Sequence, residues 1–175
     1  MKNNTIAILS SVTFRAILVL LIPVTLWSQP KKPKTDQLAQ EADVIIVGKV
    51  GQLASEWNED KSRIQTRVTI SVDETIKGTV ADQSISLVIP GGEIDGVGEW
   101  YSHSVRFERE ENVVVFAKKD NEGRFRIPAG EHGKFLIMKD KSTGAKIIPN
   151  IGTLEGFVSQ IKRNVKPQGA DKKQE

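Results

Sequence analysis

The chain contains no cysteine. A disulfide framework, a thiolate nucleophile and a cysteine-built zinc site are therefore all excluded. The fold must rest on burial and hydrogen bonds. Histidine is almost as scarce, with His103 and His132 the only two in 175 residues. No His-Glu-x-x-His, no Gly-x-Ser-x-Gly elbow and no phosphate-binding Gly-x-x-x-x-Gly-Lys-Ser/Thr loop occurs, so the sequence signatures of zincins, α/β-hydrolases and P-loop enzymes are missing. Aromatic residues make up only 6% of the chain, with three tryptophans and one tyrosine.

A long apolar run is missing too. The best stretch, from Ala16 to Trp27, follows Arg15 and contains Pro23. It falls short of the roughly 20 apolar residues that a spanning helix needs. Charge, apolar core, helix break and then the small Ser28 make the order of a cleavable signal peptide. We expect residues 1–28 to be this address and the mature protein to be secreted or periplasmic, with no membrane attachment after cleavage. No cysteine follows to carry a lipid.

Residues 29–34, Gln-Pro-Lys-Lys-Pro-Lys, read as a polar, extended tether. Residues 35–165 read as one domain, and 166–175 as a disordered polar tail. Removal of Lys2 and Arg15 leaves 23 basic residues against 22 acidic ones (25 − 2 against 22). The mature protein is thus near neutral, and its charges show no basic cluster of the kind nucleic-acid binders carry. No nucleic-acid partner is expected.

Hydrophobic periodicity defines the domain. Thr35-Asp36 can cap a short helix carrying Leu38, Ala39 and Ala42. Val44 to Val50 is a nearly continuous β-branched run interrupted at Gly48, which predicts a strand covered on both faces and bent at that glycine, extending towards Trp57. Between Lys61 and Lys77 the residues Ile64, Thr66, Val68, Ile70 and Val72 alternate with polar neighbours, the mark of a long half-exposed strand. Ile85, Leu87 and Ile89 repeat the alternation. Val113 to Phe116 is another buried strand, Asp120 to Gly123 a hairpin turn with Arg124 to Ile127 returning, and Lys134–Met138 and Ala145–Ile148 are shorter strands. Thr153 then caps a helix whose stripe is Leu154, Phe157, Val158, Ile161 and Val165. The expected fold class is mainly β: a small antiparallel OB-like barrel of five or six strands with a C-terminal packing helix, or else a β-sandwich.

The segments Ala42–Val50, Glu74-Thr75-Ile76-Lys77-Gly78, Glu111–Ala117 and the Asp-Asn-Glu-Gly turn with Arg124–Ile127 carry a resemblance. In this order they resemble the inhibitory domain of tissue inhibitors of metalloproteinases and the related netrin-like modules, which are OB-type barrels. The chain also looks like uncharacterised bacterial exported domains with a Pro-Gly-Gly turn after the third strand, some of which precede matrixin-like zinc protease domains. The resemblance runs from about Leu38 to Ile137. It implies an OB-type fold and an extracellular protease as a partner class. The animal inhibitors grip the protease zinc through an N-terminal cysteine; this chain has none, so no inhibitory residue carries over.

Chemistry-bearing residues are sparse. His103 and His132, with Glu99, Glu131 and Asp95 as oxygen donors, have no spacing that presets a metal site. Ser102-His103-Ser104 places hydroxyls next to an imidazole, but sequence neighbours face apart. We therefore expect neither catalysis, cofactor nor metal. The distinctive surface is the glycine-rich segment Pro90–Gly98, read as a mobile or tightly turned connection, followed by Trp100 and Tyr101. Rigid barrels commonly bind through such loops. The expected contact residues are Gly91, Gly92, Glu93, Trp100, Tyr101 and His103. Three functions compete: a non-catalytic protein-binding module, a binder of extracellular polysaccharide, and, last, a hydrolase using the His103 region.

Overall fold

A computed structural model describes residues 34–165. The expected signal peptide, the tether up to residue 33 and the polar tail lie outside the described residues. The chain runs through helix α1 (Thr35–Glu41), strands β1 (Val44–Trp57), β2 (Ile64–Lys77), β3 (Ser84–Pro90), β4 (Gly92–Ile94), β5 (Val97–Glu99), β6 (Asn112–Lys119), β7 (Phe125–Arg126), a 3-10 turn (Gly130–Gly133), β8 (Lys134–Lys139), β9 (Lys146–Ile148), β10 (Gly152–Thr153) and helix α2 (Leu154–Asn164). No helix among the described residues is long and apolar enough to cross a membrane.

Five strands close on themselves in the order β1-β2-β3-β7-β6-β1. This is the ring of an OB-like barrel. The expectation of a wholly antiparallel barrel is corrected at one rung, where β3 and β7 run parallel, Leu87 opposite Phe125. The reason is topological: an odd-membered ring cannot alternate direction everywhere, and four antiparallel pairings oblige the fifth to be parallel. Strands β8, β9 and β10 continue the sheet outward from β6, raising the strand number above the five or six expected.

Strands β1 and β6 explain why their sequences are apolar on both faces. Val44, Ile46, Val113, Val115 and Ala117 point into the barrel, where they meet Val68, Ile70, Ile85 and Leu87. Their neighbours Ile45, Val47, Val114 and Phe116 point the other way, into a second cluster with Leu38 and Ala39 of α1 and Phe157, Val158 and Ile161 of α2. Both helices thus cover the outer face of one strand pair. The second cluster holds three phenylalanines, with ring centroids of Phe135 and Phe157 4.9 Å apart and of Phe116 and Phe157 6.5 Å apart. Among the described residues, no polar or charged residue is buried.

Capping differs between the two helices. Thr153 caps α2 as expected, accepting the Gly156 N–H at 3.2 Å. Helix α1 starts after Lys34 with no side-chain cap, so Thr35 and Asp36 lie inside its first turn rather than capping it. Asp36 Oδ1 instead accepts from Asn164 Nδ2 at 2.6 Å, joining the two helices.

Strand β1 is bent repeatedly. Its register against β2 shifts at Ile45/Ile46, at Val47/Gly48 and again between Val50 and Leu53. Each bulge increases the local bend, and together they let one strand serve two neighbours. Its first half pairs with β6 as far as Lys49 opposite Asn112. Its second half, Leu53–Trp57, pairs with β2.

Candidate functional site

The glycine-rich segment is ordered as a hairpin rather than a simple connection. Gly91 N–H donates to Ile64 O at 2.8 Å, extending the β2–β3 ladder by one bond. Gly91 and Gly92 then take φ of +94° and +145°, which folds β4 back across the inner face of β1 and β2. A Cβ on Gly92 would sit 2.5 Å from Thr66 Oγ1 and 2.6 Å from Ser55 Oγ, so only glycine fits against this surface. The two hydroxyls hold the crossing: Thr66 Oγ1 donates to Gly91 O at 2.7 Å, and Ser55 Oγ accepts the Glu93 N–H at 3.3 Å. Strands β4 and β5 pair as Gly92–Glu99, Glu93–Gly98 and Ile94–Val97. Asp95 and Gly96 form the two-residue turn, with φ of +50° and +79°. Such a turn is the usual Asp-Gly hairpin connection, and that dipeptide was the signal by which the hairpin could have been found in the sequence.

Glu99 clamps the hairpin to the barrel. Its carboxylate accepts the Ile64 N–H at 2.8 Å, Arg63 Nη1 at 2.8 Å and the Tyr101 hydroxyl. Those three donors favour the charged form. The Tyr101 hydroxyl, the Ile64 N–H and the Arg63 guanidinium, in that order, hold the Glu99 carboxyl at about 2, well below its ordinary 4.5. The same hydrogen bond pushes the Tyr101 phenol up. Glu99 therefore acts as a fastener, not as the oxygen donor of a metal site.

The clamp sets Trp100 and Tyr101 at the surface. Trp100 is 65% exposed and Tyr101 39%. The Arg106 guanidinium lies 5.4 Å from the centroid of the Trp100 ring, so the ring is steadied from one side by a cation. Trp100, Tyr101, Gly91, Gly92 and Glu93 line one groove of about 410 Å3. Its floor is made of barrel-core residues, among them Val68, Ile89 and Val105, and Arg106, Phe107 and Glu108 form the opposite wall. Leu53, Arg106, Phe107 and Glu108 were not singled out in the sequence. Leu53 joins the site from β1, and Arg106, Phe107 and Glu108 join it because their segment is docked on the barrel core through Val105 and Phe107.

His103 falls elsewhere. It stands at φ +63° in a turn whose Ser104 N–H returns to Tyr101 O. The His103 carbonyl accepts the Glu131 N–H at 3.3 Å, docking this turn on the 3-10 turn. Its side chain lines a neighbouring depression of about 440 Å3 with Lys118, Lys119 and Arg126. Tyr101 borders both hollows. Five of the six expected contact residues thus share one groove, and the sixth does not. His132 sits in the 3-10 turn. Among the described residues, no group of three or more His, Asp or Glu side chains converges as metal binding requires.

A further hollow of about 370 Å3 lies between the β1–β2 and β6–β7 loops, the place where OB barrels often take oligonucleotides or sugars. Its cations are already engaged. Arg63 is held by Glu99, while Arg124 and Arg126 both reach Asp120 Oδ2, at 3.0 and 2.6 Å. Ser159 and Lys162 have the Ser-x-x-Lys spacing of some serine nucleophiles. On α2 both are exposed, and the Lys162 ammonium is bridged to Glu74 at 2.7 Å rather than turned to the serine.

No protein-family model, no curated protein and no solved structure matches the chain.

Proposed function

We propose that the domain is a non-catalytic protein-binding module of an exported protein, and that it contacts its partner through the groove beneath the β4–β5 hairpin. One observation carries this reading: two large aromatic side chains are held exposed over an apolar groove by a dedicated clamp. Trp100 and Tyr101 are 65% and 39% exposed, although burial of each in the barrel would be favourable. Glu99, Gly91 and Gly92 hold the hairpin that presents them. Exposed Trp and Tyr set around a concave apolar floor, with Arg beside them, have the make-up of a binding hot spot.

The groove favours protein over polysaccharide. One side of the Trp100 ring is already occupied by Arg106, and the floor beneath is aliphatic. A sugar-binding platform leaves the aromatic face open and surrounds it with hydrogen-bonding groups. The resemblance to protease-inhibitor barrels makes extracellular proteases the first partner class to try.

The test is affinity capture from the native secretome, followed by titration of the captured protein against wild type and Trp100→Ala/Tyr101→Ala, with a glycan array alongside. Loss of two hot-spot aromatics weakens binding by about a hundredfold. Equal affinity of the two forms refutes the groove. Glycan binding without protein capture refutes the protein-binding reading.

A further inference from the structure

The second half of β1 is an open sheet edge. After Lys49, β1 loses its β6 neighbour; the last backbone bonds on that side are Val50 N–H to Glu111 O and Glu110 N–H to Val50 O, each 2.8 Å. The bulge between Val50 and Leu53 then turns the strand away from the segment it had been paired with.

The phase of the ladder identifies which groups are left open. Asn58 N–H donates to Arg63 O at 2.9 Å, while Arg63 N–H turns to Asn58 Oδ1 at 2.8 Å, so the cross-strand backbone bond nearest the turn falls at Asn58 and Arg63. In an antiparallel ladder the next pair inward exchanges no bonds, and the alternation continues. Trp57, Ser55 and Leu53, opposite Ile64, Thr66 and Val68, therefore direct their N–H and C=O groups away from β2. Ile64 shows the same phase from the other side, its carbonyl accepting Gly91 N–H from the β3 side. Among the described residues, the outward groups of Leu53, Ser55 and Trp57 have no backbone partner. The run Leu-Ala-Ser-Glu-Trp contains neither proline nor lysine, and its one charge, Glu56, is bridged to Arg67, so the bulge before it is the one guard of this edge.

This edge borders the groove. Leu53 and Ser55 line it on one side, Phe107 and Glu108 on the other. Side chains at Leu53, Ser55 and Trp57 share the face that looks into the barrel mouth, because their partners Val68 and Ile64 are core residues. A strand added along β1 would point alternate side chains over the same hollow.

We propose that the β1 edge from Leu53 to Trp57 takes up an extended segment of the partner protein as an added strand, one of its large apolar side chains filling the groove. The proposal rests on the protein-binding reading and specifies its mode, strand addition. Charge indicates the flanking residues of that segment. Glu93 and Glu108 line the groove and make no salt bridge among the described residues, whereas Glu56 is bridged to Arg67 and Arg106 lies against Trp100. The segment is therefore apolar at alternate positions with lysine or arginine beside them.

The experiment uses a degenerate library of blocked heptapeptides, with Leu, Ile, Val or Phe at alternate positions and Lys, Arg or Thr between. Binding to the mature protein is followed by backbone amide NMR. The expected result is saturable binding that protects the Leu53, Ser55 and Trp57 amides from exchange. Ser55→Pro removes an outward N–H without touching the β2 ladder and should weaken binding about tenfold or more. Ser55→Ala loses the same hydroxyl but keeps that N–H, so Ser55→Pro should bind more weakly than Ser55→Ala as well, by about tenfold or more. The thermal midpoint of each variant shows that the fold is intact, and Trp57→N-methyltryptophan, introduced by ligation, serves if Ser55→Pro does not fold. Absence of any binding peptide overturns strand addition, as does binding that leaves these amides unprotected. A free protein that sediments as a dimer with the three amides already protected also overturns it, since a second copy would then cover the edge. If Trp100→Ala/Tyr101→Ala weakens the captured partner and Ser55→Pro does not, strand addition falls and the binding-module reading stands. If neither substitution weakens it, both fall.

Discussion

Gly92→Ala separates the hairpin from the barrel. Alanine at φ +145° occupies backbone space that costs an L-residue about 1–3 kcal/mol. Its Cβ would lie 2.5 Å from Thr66 Oγ1 and 2.6 Å from Ser55 Oγ, distances that real carbon–oxygen contacts do not tolerate. Both hydroxyls must turn away, breaking the Thr66 bond to Gly91 O and the Ser55 acceptor for Glu93 N–H. At about 1 kcal/mol for each, the total is roughly 3–5 kcal/mol. That load falls on a hairpin of two three-residue strands, which opens locally more easily than the barrel unfolds. The two core clusters contain no residue of β4 or β5, so global stability is largely spared. Hydrogen exchange should show lost protection from Glu93 to Glu99 and at the Ile64 amide, which Glu99 holds, while β6 keeps its protection. Gly96→Ala is the control: nothing lies within 4 Å of its Cβ position and only the backbone strain at φ +79° applies, about 1–2 kcal/mol. Unchanged exchange in Gly92→Ala, or the same change in both variants, would refute the assignment of Gly92 as a close-contact position.

Three further outcomes are expected. Phe157→Ala empties a site 3% exposed between Phe116 and Phe135, which costs about 3–5 kcal/mol and lowers the thermal midpoint by roughly 10–20 °C; a shift of only one or two degrees would mean that α2 is not docked. Because Glu99 is held at about 2 against an ordinary 4.5, its contribution is complete above the ordinary value and disappears as pH falls through the lower one. Trp100 fluorescence should therefore report hairpin loosening across that window in wild type, and a flat, already loosened signal in Glu99→Gln. The mature protein should begin at Gln29, as N-terminal mass spectrometry will show, and an intact Met1 in a membrane fraction would sink the export reading.

Much of the barrel was legible in the sequence because its strands carry their environment in their pattern. The alternation from Ile64 to Val72 marks a strand with one wet face, and the unbroken Val44–Val47 and Val113–Ala117 runs mark strands buried twice. The α2 stripe is equally local, with Thr153 supplying its cap. These features depend on side-chain period and on burial, which neighbouring residues reveal. Asp95-Gly96 carries a hairpin-turn signal, but the glycines around it imitate a loop, and the segment was read as a connection.

Tertiary structure alone decided the rest. The parallel β3–β7 rung follows from closing five strands into a ring, a condition no single segment carries. Glu99 became a clamp because folding brings Arg63 and the Ile64 amide to it from more than thirty residues away. His103 parted from Trp100 because its turn docks on the 3-10 turn, and Arg106, Phe107 and Glu108 entered the groove because their segment is docked on the barrel core. The open edge of β1 is likewise a consequence of a bulge that ends one pairing while another continues. Short-range pattern reports whether a residue is buried, but which surfaces face each other depends on contacts distant in sequence, and it is these that build the groove.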